Sequence, residues 1–207
     1  MIIAFTGNRG SGKTLSMSRE AFLKYNSGYD IYSNYKFNFP FKYFSLLDIR
    51  AFLNESKKFN KTIFCLDEAQ LAVDARRSGR KFSIEFSQWI SMTRKAGIDI
   101  YFCTQFSRMI DVRLRVHTDM VVQCQSKSIV YEKDRMPYIK INYMPKGHEI
   151  KVDTWIMNTI IEFSFDGMDK VCKKIFYANE WFNIYDTNEI IKSIDVEEEK
   201  VKAQVTK

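Results

Sequence analysis

The sequence has 207 residues, 45 % of them hydrophobic, and its Lys and Arg (32) outnumber Asp and Glu (25) to give a net charge of +7. That length and apolar content exclude wholesale disorder and fit one α/β domain with at most a small appendage. The charge excess favours an anionic partner, nucleic acid or an acidic membrane surface, without requiring either.

No apolar run reaches the roughly 18–20 residues that span a bilayer. The N-terminus opens on Ile2-Ile3-Ala4-Phe5 with no basic region or cleavage site, so it reads as a strand and not a signal peptide. Cys65, Cys103, Cys124 and Cys172 form no CxxC pair, and His117 and His148 stand alone. Buried reduced thiols fit this spacing better than disulfides or a zinc site.

In chain order, Ile2–Thr6 predicts a buried strand ending in a glycine-rich turn, and Lys13 to about Asn26 predicts a helix. Tyr29–Tyr35 reads as a second strand. The aromatic stretch Phe37–Phe41 follows, and Pro40 argues against continuous regular structure there. Ser45 is placed to cap a helix over Leu46–Leu53. Thr62–Leu66 is a third strand, Ile84–Lys95 a helix, Ile98–Cys103 a fourth strand and Met120–Cys124 a fifth. Strands and helices alternating in this way predict a mostly parallel sheet with helices on both faces.

Beyond residue 127 the pattern changes. Ser128–Tyr131 and Tyr138–Tyr143 flank a turn containing Pro137, as in an antiparallel hairpin, and Lys151–Ile156 and Ile160–Phe165 add strands. The organisation expected is an α/β core over residues 1–127, a β-rich C-terminal extension of the same domain over 128–190, and a charged, flexible tail over 191–207.

The run Gly7-Asn8-Arg9-Gly10-Ser11-Gly12-Lys13-Thr14 fits the phosphate-loop (Walker A) pattern G-x-x-x-x-G-K-[ST], between a strand and a helix as the mechanism requires. Glycines let successive backbone N–H groups converge on phosphates at a helix N-terminus. Lys13 is placed to reach the β- and γ-phosphates, and the Thr14 hydroxyl to ligate Mg²⁺. The strand Ile63-Phe64-Cys65-Leu66 ends in Asp67-Glu68. Asp67 there can hold Mg²⁺, and Glu68 can orient and deprotonate a water, which favours ATP hydrolysis over binding alone. Thr104-Gln105 ends the next strand, where Gln105 either senses the γ-phosphate or is an exposed residue beside a capping threonine.

These segments, together with Leu66-Asp67-Glu68-Ala69-Gln70, Arg94-Lys95-Ala96-Gly97-Ile98-Asp99-Ile100, Ile110-Asp111-Val112-Arg113-Leu114-Arg115 and Tyr185-Asp186-Thr187, resemble the zonular occludens toxin-like (Zot) domain of filamentous-phage assembly proteins. The resemblance covers roughly residues 1–190. It places the chain beside the FtsK–HerA group of DNA-pumping ATPases. It implies a RecA-like core, a homo-oligomeric ring (often a hexamer) and ATP-driven movement of DNA in virion assembly or packaging. Filamentous-phage Zot proteins usually carry a transmembrane helix after the ATPase domain, and this sequence has no such run. The resemblance therefore implies a soluble packaging-type ATPase in the cytoplasm of an infected host cell, with capsid or membrane assembly proteins as further partners.

Ring ATPases use an arginine from the next subunit, worth about 10³–10⁵ in rate. Arg94 matches that position first, with Arg113 and Arg115 as alternatives, or each of the three is an ordinary surface residue. In Arg76-Arg77-Ser78-Gly79-Arg80-Lys81, the four cations Arg76, Arg77, Arg80 and Lys81 either line a channel for double-stranded DNA, gripped without sequence preference, or form a solvated loop.

Two other enzyme classes fit less well. Asn60-Lys61-Thr62-Ile63 lacks the Asp of a guanine-reading NKxD motif, which disfavours a GTPase, and no arginine-rich lid supports a kinase. A nucleotide-gated assembly scaffold with little DNA-stimulated turnover is the competing function from a different class.

Overall fold

Ile63 and Cys65 face one side of their strand and Phe64 and Leu66 the other, and all four are buried, so this strand is covered on both faces. That single observation sets the architecture: a parallel sheet between two layers. The fold, taken from a computed structural model, is described for residues 1–44, 59–71, 81–130, 138–140, 152–162 and 170–186. The expected helix over Leu46–Leu53 and the tail 191–207 lie outside the described residues.

The strands are β1 (Ile2–Thr6), β2 (Asp30–Ser33), β3 (Lys42–Tyr43), β4 (Thr62–Leu66), β5 (Ile98–Thr104), β6 (Met120–Val130), β7 (Tyr138–Lys140), β8 (Val152–Glu162) and β9 (Lys170–Tyr177). The helices are α1 (Lys13–Tyr25), α2 (Lys81–Ala96) and α3 (Val112–Val116). The strands form one sheet in the order β3-β2-β4-β5-β1-β6-β8-β9, with β7 paired to β6. Pairing is parallel from β3 through β6 and antiparallel beyond.

On one face α1 buries Leu15, Met17 and Ala21 against Ile3, Phe5, Ile63, Cys65 and Tyr101. On the other, Trp89 and Ile90 of α2 and Leu114 of α3 cover Ile2, Ala4, Phe64, Ile100 and Phe102. Cys65, Cys103 and Cys124 are buried thiols without disulfides, as their apolar settings predict. Among the described residues no helix is long and apolar enough to cross a membrane.

The sequence pattern departs from the fold mainly after β1–β5. β6 continues through Val130, and its last three residues, Ser128–Val130, pair antiparallel with β7, which realises the expected hairpin. β8 is one continuous strand where two were expected, because Asn158 and Thr159, which interrupt its apolar pattern, pair with Gln125 and Cys124 on one side and with Ile175 and Lys174 on the other. β9 carries three lysines among eight residues, which break up its apolar pattern, yet it pairs along β8. The sheet thus passes residue 127 unbroken, and the strands beyond it extend the core sheet.

The chain then returns across α1. A 3-10 segment, Asn179–Ile184, packs Trp181 on Phe22, and Asn38 donates through its backbone N–H to the Ile184 carbonyl at 2.9 Å and through Nδ2 to that of Asn183 at 2.7 Å. Phe37 and Tyr185 form an antiparallel bridge. The aromatic stretch after β2 is the receiving surface for this return, with Phe37 stacked on Phe39 at 4.4 Å.

Candidate nucleotide site

Because β1, β4 and β5 are parallel neighbours in the order β4-β5-β1, their C-terminal ends lie on one edge, where ligands of open α/β sheets bind. β1 delivers the glycine-rich loop to that edge, β4 delivers Asp67 and Glu68, and β5 places Gln105 between them.

The loop needs its glycines. Gly7 has φ +144°, and a Cβ there would lie 2.5 Å from Ser11 Oγ and 2.6 Å from the Cys124 carbonyl oxygen. Gly12, at φ +80° and ψ 28°, turns the chain into α1, so its left-handed conformation sets the helix start beneath the loop. The Ser126 hydroxyl donates to the Gly10 carbonyl at 3.0 Å and ties the loop to β6. Lys13 Nζ donates to the carbonyls of Gly7 (3.0 Å) and Asn8 (3.1 Å), although its side chain is nearly buried. The buried Ser11 hydroxyl has no hydrogen-bond partner. An ammonium and a hydroxyl donor thus sit inside a curled loop at a helix N-terminus, a setting suited to phosphate oxygens.

Thr14, on the first turn of α1, joins the two halves of the site: its hydroxyl lies 3.2 Å and 3.1 Å from the two carboxylate oxygens of Asp67. Desolvation and the neighbouring Glu68 charge push the Asp67 carboxyl up to about 6, against hydrogen bonds from Thr14 and the Glu68 backbone that lower it. A half-buried carboxylate beside a hydroxyl is a set of hard oxygen donors that fits Mg²⁺.

Glu68 has φ +49°, an uncommon conformation for a non-glycine residue. Its carboxylate lines the cleft and accepts a hydrogen bond from Gln70 Nε2. The cleft, of about 760 Å³, brings together Arg9, Gly10, Lys13, Thr14, Glu68 and Gln105.

Other residues stand elsewhere. Arg94 lies in α2 just before β5 begins, at the opposite edge of the sheet. The Arg113 guanidinium is held by the buried Asp111 carboxylate, with Nε to Oδ1 at 3.0 Å and Nη2 to Oδ2 at 2.9 Å, and this pairing keeps the Asp111 carboxyl below its usual range. Arg76, Arg77 and Arg80 lie outside the described residues, and Lys81 begins α2.

Sequence reasoning passed over Asn34. Its side chain pairs with both backbone groups of Asp67, accepting from the N–H at 2.8 Å and donating to the carbonyl at 3.1 Å. A polar residue just past the end of β2, on the ligand edge, was the available signal. Leu71, Ser126, Ala178 and Phe182, which no sequence motif marks, also line the cleft, as does Tyr185 of the segment Tyr185-Asp186-Thr187.

The parallel sheet, the loop at the end of β1 and the acid at the end of β4 define the P-loop NTPase class. The chain belongs to the Zonular occludens toxin (Zot) family, whose profile matches residues 45–165, a span that includes Asp67, Glu68, Arg94 and Gln105. Its structure is similar to the crystal structure of the N-terminal domain of zonular occludens toxin from Neisseria meningitidis, with 20 % identity, TM-score 0.56 and coverage of 89 % of this chain and 98 % of that one. Weaker likenesses, which add nothing to the assignment, are to two other proteins. One is the genome packaging NTPase B204 from Sulfolobus turreted icosahedral virus 2 in complex with ATP-gammaS (14 % identity, TM-score 0.48, 84 % and 95 % covered). The other is the KaiC-like protein PH0186 from Pyrococcus horikoshii OT3 (11 % identity, TM-score 0.49, 84 % of each covered). No curated protein matches the sequence.

Proposed function

We propose that this protein hydrolyses ATP in the cleft and couples turnover to the movement of double-stranded DNA during virion assembly or packaging. The observation that carries the hydrolytic part is the junction of Thr14 with both Asp67 oxygens at 3.1–3.2 Å, across 53 residues of sequence, with Glu68 and Gln105 in the same cleft. Lys13 exchanges its loop carbonyls for β- and γ-phosphate oxygens, and Thr14 and Asp67 hold Mg²⁺. When bound, the ion neutralises charge on the phosphates. Glu68 takes a proton from water as the water oxygen bonds to the γ-phosphorus, the β–γ bridging bond breaks and ADP leaves. Gln105, between the two halves, contacts the γ-phosphate and relays its presence to the segment that follows β5. The coupling to DNA is supported by the family and by the net charge of +7, which suits a phosphate backbone.

The test is steady-state ATP hydrolysis with and without double-stranded DNA across a salt series. Glu68→Gln is expected to retain nucleotide binding and lose about 10²–10⁴-fold in rate, the usual range for a general base. Lys13→Ala is expected to lose nucleotide binding. DNA stimulation that fades with salt supports the motor. Turnover indifferent to DNA at low salt, with ATP-dependent oligomerisation, would instead identify a nucleotide-gated scaffold.

A further inference from the structure

The cleft is larger than a phosphate site, and its far wall comes from the end of the described chain. Beyond Lys13 and Thr14 it is lined by Leu71, Ala178, Phe182 and Tyr185, and its volume of about 760 Å³ is in the range of small-molecule sites. Whatever places its phosphates on the loop therefore has an apolar, partly aromatic surface beside it.

Leu71 and Phe182 are the exposed members of that surface, at 40 % and 43 %, and Phe182 is the aromatic one. Its exposure is imposed by its neighbours. Trp181 turns inward onto Phe22, with ring centroids 5.9 Å apart, and onto the Arg19 guanidinium at 5.0 Å. The carbonyls of Asn183 and Ile184 are both held by Asn38. Pinned on either side, the 3-10 segment presents the Phe182 ring to the cleft. Tyr185 is committed differently, since its ring meets the buried Tyr35 edge-on at 6.2 Å.

We propose that Phe182 stacks on the nucleobase of the bound nucleoside triphosphate, making the returning segment Asn179–Ile184 the base-binding wall of the cleft. The proposal rests on the triphosphate reading of the loop given above. A nucleotide has a polyanionic end, which suits Lys13 and the loop N–H groups, and a flat aromatic end, which suits the face of a ring. Stacking accepts any base because every base has a π-face, so Phe182 contributes affinity without choosing between purines.

The experiment compares the affinities of the full chain for Mg·ATP and for Mg·tripolyphosphate, which carries the phosphates without a base. Phe182→Ala is expected to weaken ATP binding by about 5- to 100-fold, the range for removing a stacking ring, and to leave tripolyphosphate binding within about twofold. Phe182→Trp is expected to restore ATP binding. Tripolyphosphate binding also reports that the alanine variant is folded. Unchanged ATP affinity in Phe182→Ala, or an equal loss for both ligands, overturns the stacking role while leaving the phosphate site standing. Wild-type protein that binds neither ligand overturns the triphosphate site and the base wall together.

Discussion

Asp67 is where the energetics of this site conflict with its chemistry. Its carboxyl is raised from 3.8 to about 6 in the folded protein by desolvation and by Glu68. Between those values Asp67 binds more protons in the folded state than in the unfolded chain, so the sign is fixed: its contribution to stability falls as pH rises from about 4 to 6. The shift corresponds to at most about 3 kcal/mol, less after screening at the side of the carboxylate that reaches solvent. Asp67→Asn is therefore expected to raise the melting temperature of the nucleotide-free protein at pH 7, to narrow that gain towards pH 4, and to abolish Mg²⁺-dependent turnover. A variant no more stable than wild type at pH 7 would show that Asp67 is not destabilising there. Such a trade of stability for function is common at sites that need an uncompensated charge. Asp67, Glu68 and the glycine loop were all legible in the sequence because each is a local pattern at the end of an apolar strand. The Glu68 backbone, at φ +49°, was not, since nothing in its identity marks a left-handed conformation.

At the scale of elements, the end of β4 is positioned by the end of β2. Asn34 pairs with the Asp67 backbone N–H and carbonyl, and its own N–H donates to the Cys65 carbonyl at 3.3 Å, so the two parallel strands keep one register up to the edge that carries the cleft. Removing the Asn34 side chain leaves two half-buried backbone groups without these partners, at a cost of about 1–3 kcal/mol. Asn34→Ala is expected to lower the denaturant midpoint accordingly. It should also reduce kcat at least tenfold with little change in ATP affinity, because Asn34 bonds to Asp67 and not to the phosphate loop. A kcat equal to wild type would show that Asp67 keeps its place without this clamp. The strands themselves were legible where they are apolar on both faces, as in β1, β4 and β5. Legibility failed where polar residues interrupt the apolar pattern: Asn158 and Thr159 split β8 in the sequence, and Lys170, Lys173 and Lys174 hid β9. The return of Asn179–Ile184 across α1 had no local signature either. It depends on Asn38 and Phe22, more than 140 residues earlier, and such pairings are invisible to periodicity.

For the whole molecule, the parallel sheet separates the cleft from Arg94. Lys13, Thr14, Asp67, Glu68 and Gln105 gather where the strands end, whereas Arg94 stands where β5 begins. The seven residues of β5 set these edges about 20 Å apart at roughly 3.3 Å per residue, too far for an arginine to reach the cleft of its own chain. Arg113 is held by Asp111 and is poorly free to leave. If Arg94 acts on a transferring phosphoryl group, it does so in a neighbouring molecule, which fits a ring in which one subunit's Arg94 edge meets the next subunit's cleft. Mixing distinguishes this arrangement from an ordinary surface arginine. Arg94→Ala chains added to wild type at fixed total concentration are expected to depress ATP hydrolysis below the wild-type fraction, because each variant disables the wild-type site it faces. Their own nucleotide binding should be intact, since the loop, Asp67 and Glu68 are untouched. Activity that falls in proportion to the wild-type fraction, with mixed assemblies confirmed by sizing, would remove Arg94 from the neighbouring site and leave catalysis to the residues of a single cleft.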